Sequence, residues 1–417
     1  MRECLIPSLT FRGRHSIECQ PILAQVLAAL AGATMVACAG GEPNNAEIPE
    51  TASWPTNGWS HSAPADEGVD GAALTALDAL LAGGAYGNVD AVMVTRHGRM
   101  IADFRYEHDY VEINSGYEQA PHHYNYYNPV YHPFREGSDL HTIQSITKSV
   151  TSALIGIAIQ RGEIEGTDVA ALSYLSDREI DDPDGVKATI TLEDVLTMRP
   201  GFEWDEGTLE YTDPANDATQ LEASEDWLQF VLDKPMAAAP GQTFVYNSGN
   251  SMIMSAILKA TTGLHAAEYA EQHLFGPLGI TDYYWKVVPD GLTDTEGGLY
   301  LRTEDLAKIG YLFLRDGVWD GVRLLPRDWV ERSARPWVSF ATPDNPDSRR
   351  GYGFQWWIMN DGSGDTPMQY GGSGFGGQSL MIVPELDLVA VVNSWNIYEE
   401  SYSAAAVIID HVIPAVH

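Results

Sequence analysis

Apolar residues change their period along the chain, and each period predicts a different element. From Asp90, DAVMVT-RHGR-MIADFRY alternates around a Gly-bearing turn and predicts a β-hairpin. Residues 111–137 are crowded with Tyr, His, Asn and Pro and read as an irregular excursion. SITKSVTSALIGIAIQRG, residues 145–162, is then apolar around its whole circumference, which predicts a buried helix closed by Gly162. Segments 191–199, 224–233, 249–263 and 265–276 also read as helices, as does Leu324 to Arg332 with Pro326 in its first turn. Toward the C-terminus GYGFQWWIM, SLMIV and LVAVVNS each read as one strand, the last two joined by the turn Pro384-Glu385-Leu386-Asp387. A final apolar helix, SAAAVIIDHVI, follows. Strands at both ends with helices between predict an α/β (α+β) fold. Its antiparallel sheet is built from both chain ends and flanked by helices, with an all-helical domain inserted at about 140–290.

Charge narrows the function classes. The 417 residues carry 58 acidic against 24 basic side chains, a formal net charge of -34, and such a surface repels nucleic-acid phosphates. Cysteine narrows the chemistry. Cys4, Cys19 and Cys38 all lie in the first tenth of the chain, so the body has no disulfide, no thiolate metal site and no cysteine nucleophile.

Those first residues predict export. Arg2, Arg12 and Arg14 precede an apolar run from Pro21 to Ala37, the pattern of a signal peptide over 1–37. Its end, Met35-Val36-Ala37-Cys38, resembles the lipobox of bacterial lipoproteins, which makes Cys38 the expected lipidation site. The expected location is periplasmic or cell-surface, with the membrane reached only through that anchor. A plain signal peptide or a membrane-spanning anchor is the alternative. Residues 38–60, rich in Gly, Pro and Asn, read as a flexible tether to a body spanning 61–417.

Three constellations carry candidate chemistry. In Ser145-Ile146-Thr147-Lys148 the serine and lysine stand three apart and share a helix face. A serine hydroxyl needs a neighbouring base to become a nucleophile. The helix N-terminus and apolar neighbours Ile143, Ile146 and Val150 are expected to push Lys148 toward its neutral, basic form. The competing reading has Ser145 as a simple helix cap and Lys148 on a solvated face. In Tyr246-Asn247-Ser248, about a hundred residues on, Tyr246 is a candidate partner in proton transfer and Ser248 a candidate substrate contact. Otherwise Tyr246 is a core tyrosine before a helix cap.

Third comes Gly371-Gly372-Ser373-Gly374-Phe375-Gly376-Gly377-Gln378, just before the strand SLMIV. It contains GxGxxG, but a dinucleotide site needs a helix after the motif and here a strand follows. A glycine-rich strand edge lets a substrate approach closely, and N–H groups around Gly372, Ser373 and Gly374 are candidate oxyanion donors. A tight hairpin is the structural reading, and the two are compatible. His108, His122, His123, His132 and His141 lack metal-ligand spacing, so no metal or other cofactor is expected. The acidic stretch 203–226 reads as a solvated lid or loop.

SITK, YNS and GGSGFGGQ, in this order and spacing, resemble the penicillin-recognising serine hydrolase superfamily. The likeness is to its class C β-lactamase-like branch, with esterases and aminohexanoate-dimer hydrolases. ITLEDVLTMRPGF, TEDLAKIGYLFLRDGVWDG and GYGFQWW add to it, so that it covers roughly 55–417. The resemblance implies a β-lactamase/transpeptidase-like fold and an acyl-enzyme on Ser145. Lys148 and Tyr246 would shuttle the proton, and N–H groups of Ser145 and the Gly372–Gly374 strand would hold the oxyanion. Two departures matter: Ser248 stands where Asn is usual, and the third motif lacks its usual Lys-Thr-Gly start. No Lys or Arg follows Arg350, so that strand offers no cation for a substrate carboxylate. A small neutral ester or amide is therefore the expected substrate. A β-lactamase or peptidoglycan peptidase, and a non-catalytic surface binding protein, are the alternatives. Nothing in the sequence bears on oligomeric state.

Overall fold

The computed structural model describes residues 54–115 and 133–417, except 183, 212, 365 and 398–401, and all of these belong to one compact unit, Ile48–His417. The signal segment 1–37, Cys38, the first part of the tether, His122, His123 and His132 lie outside the described residues.

The chain first lays down β1 (Ser60–His61), β2 (Val89–Arg96) and β3 (Arg99–Arg105). After the long middle region come β9 (Val338–Ser339), β10 (Gly351–Tyr352), β11 (Trp357–Asn360), β12 (Gln369–Gly374), β13 (Gln378–Val383) and β14 (Leu388–Ser394). These nine form one sheet in the order β1-β3-β2-β14-β13-β12-β11-β10-β9. All pairs are antiparallel except β1 with β3. The β2–β14 pairing, with Met93 opposite Val391, joins the two chain ends as expected.

The hairpin forms where its alternation placed it, yet β2 is buried at seven of its eight positions. Both faces of the central strands are covered, so the period of two sorts residues between two cores. Val92, Val94, Ala390 and Val392 face the helix Gly71–Ala82 and the C-terminal helix. Met93, Leu380, Ile382, Val389 and Val391 face the larger core, which includes the helix Thr303–Leu314. Gly310 lets that helix close on the sheet, because a Cβ there would stand 2.7 Å from Val389 and 2.8 Å from Leu380.

Three boundaries differ from the sequence reading. GYGFQWWIM is not one strand: β10 and β11 pair with each other across a turn in which Gln355 has φ 63. Trp54 to Ser60 is not tether. Trp54 packs on Tyr311 and Trp319, and Trp59 is buried with its Nε1 donating to the Glu304 carbonyl, so two indoles tie this stretch to the body. The inserted region is not wholly helical. It holds β4 (His141–Thr142) and β5 (Tyr284–Trp285), which join β6 (Leu299–Leu301), just past it, in a small sheet ordered β4-β6-β5, and further on come the paired β7 (Val318–Trp319) and β8 (Val322–Arg323). Among the described residues no helix is long and apolar enough to cross a membrane.

Candidate active site

β4 delivers the chain to the site. It pairs with β6 through His141–Leu301 and Thr142–Tyr300. The next turn is tight, and Gln144 takes a left-handed φ of 47, uncommon for a residue with a Cβ. Its amide is tied to the Thr142 hydroxyl at 3.1 Å. Ser145 follows at the N-cap of the helix Ile146–Gln160, and from Leu140 to Ala158 it is the one residue not buried. Although it stands at the N-cap, its hydroxyl makes no capping bond. That hydroxyl meets Lys148 instead, whose Nζ donates to Ser145 Oγ at 3.0 Å.

Lys148 is 1% exposed, so it stands on no solvated face. Its Nζ also donates to the Glu296 carbonyl at 2.7 Å and to Glu296 Oε2 at 3.3 Å. The Tyr246 ring lies 5.3 Å from Nζ. The expected downward push on Lys148 meets an opposing one. Burial works to lower its pKa, but the negative charge available at Tyr246, Glu296 and Glu206 prevails, and Lys148 is held above its ordinary value. Tyr246 also rises. Burial drives it up, Glu206 and Glu296 add to this, and Lys148 and the hydrogen bond with Ser145 only partly offset them.

Aromatic packing fixes Tyr246. Its ring stacks on Trp357 at 5.5 Å with 25° between planes and meets Tyr352 edge-on at 6.3 Å. Phe244 and Phe340 complete this wall.

Ser248 departs from its expected substrate role. It is 1% exposed, and both its backbone N–H and its hydroxyl donate to the buried carboxylate of Glu206, at 2.8 and 2.7 Å. Trp204 Nε1 and the Tyr211 hydroxyl donate to the same carboxylate, at 2.8 and 2.9 Å. The 203–226 stretch is thus not a solvated loop at its centre. Trp204, Glu206, Asn216 and Glu222 are all buried. Spacing within the acidic run hid this, although Trp204 and Tyr211 flanking Glu206 were a readable sign of an inward face. Glu296, in DTEGGLY, carried no comparable signal.

The glycine-rich run lies on β12 and turns through Phe375–Gly377 into β13. β11 pairs with β12 only as far as Gly371, so the edge beyond it has no β11 partner. Gly372 and Gly374 face the serine helix: a Cβ would stand 2.8 Å from Ile146 Cγ2 at the first and 2.6 Å from the Ile143 carbonyl at the second. Ser373 alternates to the other face and is exposed. Tyr211 meets Phe375 edge-on at 5.1 Å, linking the acidic stretch to this strand.

The histidines go elsewhere. His141 is buried between the Asp90 carboxylate and the Thr142 carbonyl, and His108 faces the Val89 carbonyl. Among the described residues no group of three or more His, Cys, Asp or Glu side chains could hold a metal ion.

A sheet made from both chain ends, a serine–lysine pair on a buried helix and a tyrosine beside it define a serine hydrolase of the penicillin-recognising type. The Beta-lactamase family model matches residues 77–408, and the chain belongs to the beta-lactamase family. It is 26% identical over 281 residues to the 6-aminohexanoate-dimer hydrolase of Paenarthrobacter ureafaciens, covering 62% of this chain and 67% of that one. Two solved structures share the fold. A candidate 6-aminohexanoate-dimer hydrolase from Bacillus anthracis matches with TM-score 0.60 and 20% identity, over 78% of each chain. A D-stereospecific amidohydrolase from a Streptomyces species matches with TM-score 0.57 and 16% identity, over 82% of this chain and 97% of that one.

Proposed function

We propose that the protein hydrolyses a small carboxylic ester or amide through an acyl-enzyme on Ser145. The observation that carries this is Lys148 Nζ at 3.0 Å from the one accessible hydroxyl of an otherwise buried helix N-terminus. Ser145 Oγ attacks the carbonyl, and Lys148 and Tyr246 between them move its proton to the leaving group. Backbone N–H groups of Ser145 and of the open β12 edge at Gly372–Gly374 receive the oxyanion. Water then releases the acid by the same proton route.

Charge supports a substrate without a carboxylate at the reacting end. Glu206 and Glu296 already load the site with negative charge, and the last 67 residues, which include β12, contain no Lys or Arg. That disfavours β-lactams and peptidoglycan stems. The relative named for a dimer of 6-aminohexanoate acts on an amide, which supports keeping amides beside esters. The intact serine, lysine and tyrosine argue against a purely binding protein.

The test compares hydrolysis of p-nitrophenyl butyrate by the wild type and Ser145→Ala. A loss of about a thousandfold or more is expected on removing a nucleophile. Retained activity in the variant would overturn the reading.

We further propose export and anchoring through an acylated Cys38, supported by the basic and apolar start of the chain. Incorporation of labelled palmitate is expected in the wild type and not in Cys38→Ala. Equal labelling of the two would overturn it.

A further inference from the structure

Seven residues other than glycine take a left-handed φ among the described residues. His97, Asp316, Asp320 and Asp387 do so in turns that are not buried. The other three, Gln144, Met198 and Gln355, are buried, with φ 47, 59 and 63. Such backbone is unfavourable for a residue with a Cβ and persists only where its surroundings hold it. Each of the three stands beside a part of the site. Gln144 precedes Ser145, and the Met198 carbonyl accepts from the Val245 N–H at 2.9 Å, just before Tyr246. Gln355 stands two residues before Trp357, which stacks on Tyr246.

Gln355 is held from several sides. Its backbone N–H donates to the Leu196 carbonyl at 3.0 Å and is shared with the Gly353 carbonyl at 3.1 Å. Its side-chain amide donates to the carbonyls of Val195 and Leu196, at 3.1 and 3.0 Å. Those carbonyls lie at the C-terminal end of the helix Leu192–Leu196, where acceptors outnumber donors. Its own carbonyl accepts from the Ser149 hydroxyl at 2.6 Å, one residue after Lys148. One residue thus binds the lysine helix through its carbonyl and the 192–198 segment through its N–H groups.

Lys148 is placed by its helix, and Tyr246 by the segment that Met198 holds and by the Trp357 ring. The separation of lysine and phenol therefore depends on what joins these elements, and Gln355 joins them all. We propose that Gln355 is a positioning residue of the reaction, a bracket that fixes the Lys148 helix against the Tyr246–Trp357 stack. This rests on the serine hydrolase reading above. The hydrogen bonds of Gln355 go to the scaffold around Ser145, Lys148 and Tyr246, so it acts by placing them. A displacement of about 1 Å caused far from the chemistry can cost about a hundredfold in rate, so a modest loosening is enough to be read in kcat.

The experiment measures kcat and KM for p-nitrophenyl butyrate, with melting temperatures, in the wild type, Gln355→Ala, Gln355→Gly and Gln355→Asn. Kinetics are taken at a temperature where each variant is folded. Alanine and glycine both lose the amide bonds, but only alanine keeps a Cβ on left-handed backbone. Gln355→Gly is therefore expected to melt above Gln355→Ala, while both lose about tenfold in kcat with KM changed by less than about twofold. Asparagine suits a left-handed turn, yet its amide is one methylene short of the Val195 and Leu196 carbonyls, so Gln355→Asn is expected to share the kcat loss. A purely structural residue would move the melting temperatures and leave kcat of the folded enzyme alone. Wild-type kcat in Gln355→Ala, recovery of kcat in Gln355→Gly, or a loss confined to KM would overturn the proposal.

Should the Gln355 variants fail to fold, Ser149→Ala decides instead, since it removes only the hydroxyl that donates to the Gln355 carbonyl. It is expected to lower kcat by roughly 2- to 5-fold with KM little changed, and wild-type kcat would overturn the proposal. Ser145→Ala, assayed alongside, separates the two readings. If it retains activity the hydrolase reading itself fails, whereas a dead Ser145→Ala with full kcat in Gln355→Ala defeats only the bracket.

Discussion

Ser248 gives Glu206 both of its donors, the backbone N–H at 2.8 Å and the hydroxyl at 2.7 Å, two residues after Tyr246. With Trp204 and Tyr211 the carboxylate accepts four hydrogen bonds in a buried site. It acts as a node that ties the segment carrying Tyr246 to the 203–216 segment. Glu206→Gln replaces one acceptor oxygen with a donor, so at least one buried donor loses its partner. The expected destabilisation is about 1–3 kcal/mol. Because Tyr246 loses its support, kcat is expected to fall more than KM rises. Urea unfolding and steady-state kinetics check this, and wild-type values on both counts would contradict it. Ser248→Ala removes only one of the four bonds, so its effect should be the smaller.

Close packing, not φ, requires glycine on the inner face of β12. A Cβ at Gly374 would stand 2.6 Å from the Ile143 carbonyl, which is backbone and yields only if the strained turn at Gln144 moves. At Gly372 the nearest atom is the Ile146 side chain, at 2.8 Å. Overpacking of this kind is worth about 1–3 kcal/mol. Gly374→Ala is expected to lower kcat/KM by roughly 10- to 100-fold, because the strain falls on the residues that place Ser145. Gly372→Ala should act more through stability. Kinetics and melting temperatures on the two variants separate these effects, and equal kinetic losses would contradict the distinction.

The sequence already showed the parts of the site that depend on local spacing. Ser145 and Lys148 share a helix face because they stand three apart. The glycines before SLMIV were read as room for a substrate, and the structure shows Gly372 and Gly374 packed closely on Ile146 and Ile143 of the serine segment. The sheet joining both chain ends was legible for the same reason, from changes of period. The partners that set charge were not. Glu296 reaches Lys148 across 148 positions of sequence, and Glu206 reaches Ser248 across 42. Neither contact follows from a period or a motif. The charge environment of Lys148 was therefore only half legible: apolar neighbours on its own helix were visible, and the acids supplied from elsewhere, which push its pKa up, were not. Trp54 and Trp59 show the same limit, since a Gly/Pro-rich composition said nothing of the indole sites waiting on Tyr311, Trp319 and the Glu304 carbonyl.

Asp294 lies beside Glu296, accepting from the N–H groups of Glu296 and Gly297 at 3.2 and 3.1 Å. Burial raises its pKa to about 7, Glu296 adds to this, and Lys286 opposes it. The folded state thus keeps a proton that the unfolded chain releases from about pH 4. Below that pH both states are protonated and the group is neutral to stability relative to itself. As pH climbs toward about 7, the unfolded state gains by ionising and this contribution to folding is lost. Asp294→Asn cannot ionise, so its stability relative to the wild type should improve as pH rises from about 4 to about 7 and level off above. Urea unfolding of both proteins across that range checks it, and a pH-independent difference would contradict it.

Trp357 stacks on Tyr246 at 5.5 Å, within a wall that includes Phe244, Phe340 and Tyr352. Two roles for that wall give different kinetics. If it orients the phenol, losing the stack should reduce proton transfer and lower kcat. If it receives the acyl chain, the loss should fall on KM and grow with the size of the acyl group. The small angle of 25° between the rings favours orientation, because a stacked neighbour restricts the plane in which Tyr246 can swing. An aromatic pair contributes about 0.5–1.5 kcal/mol beyond its buried area. Trp357→Leu is therefore expected to lower kcat by roughly 2- to 12-fold for acetate and butyrate esters alike, with KM little changed. A KM that rises steeply with acyl length while kcat holds would instead assign the wall to substrate binding.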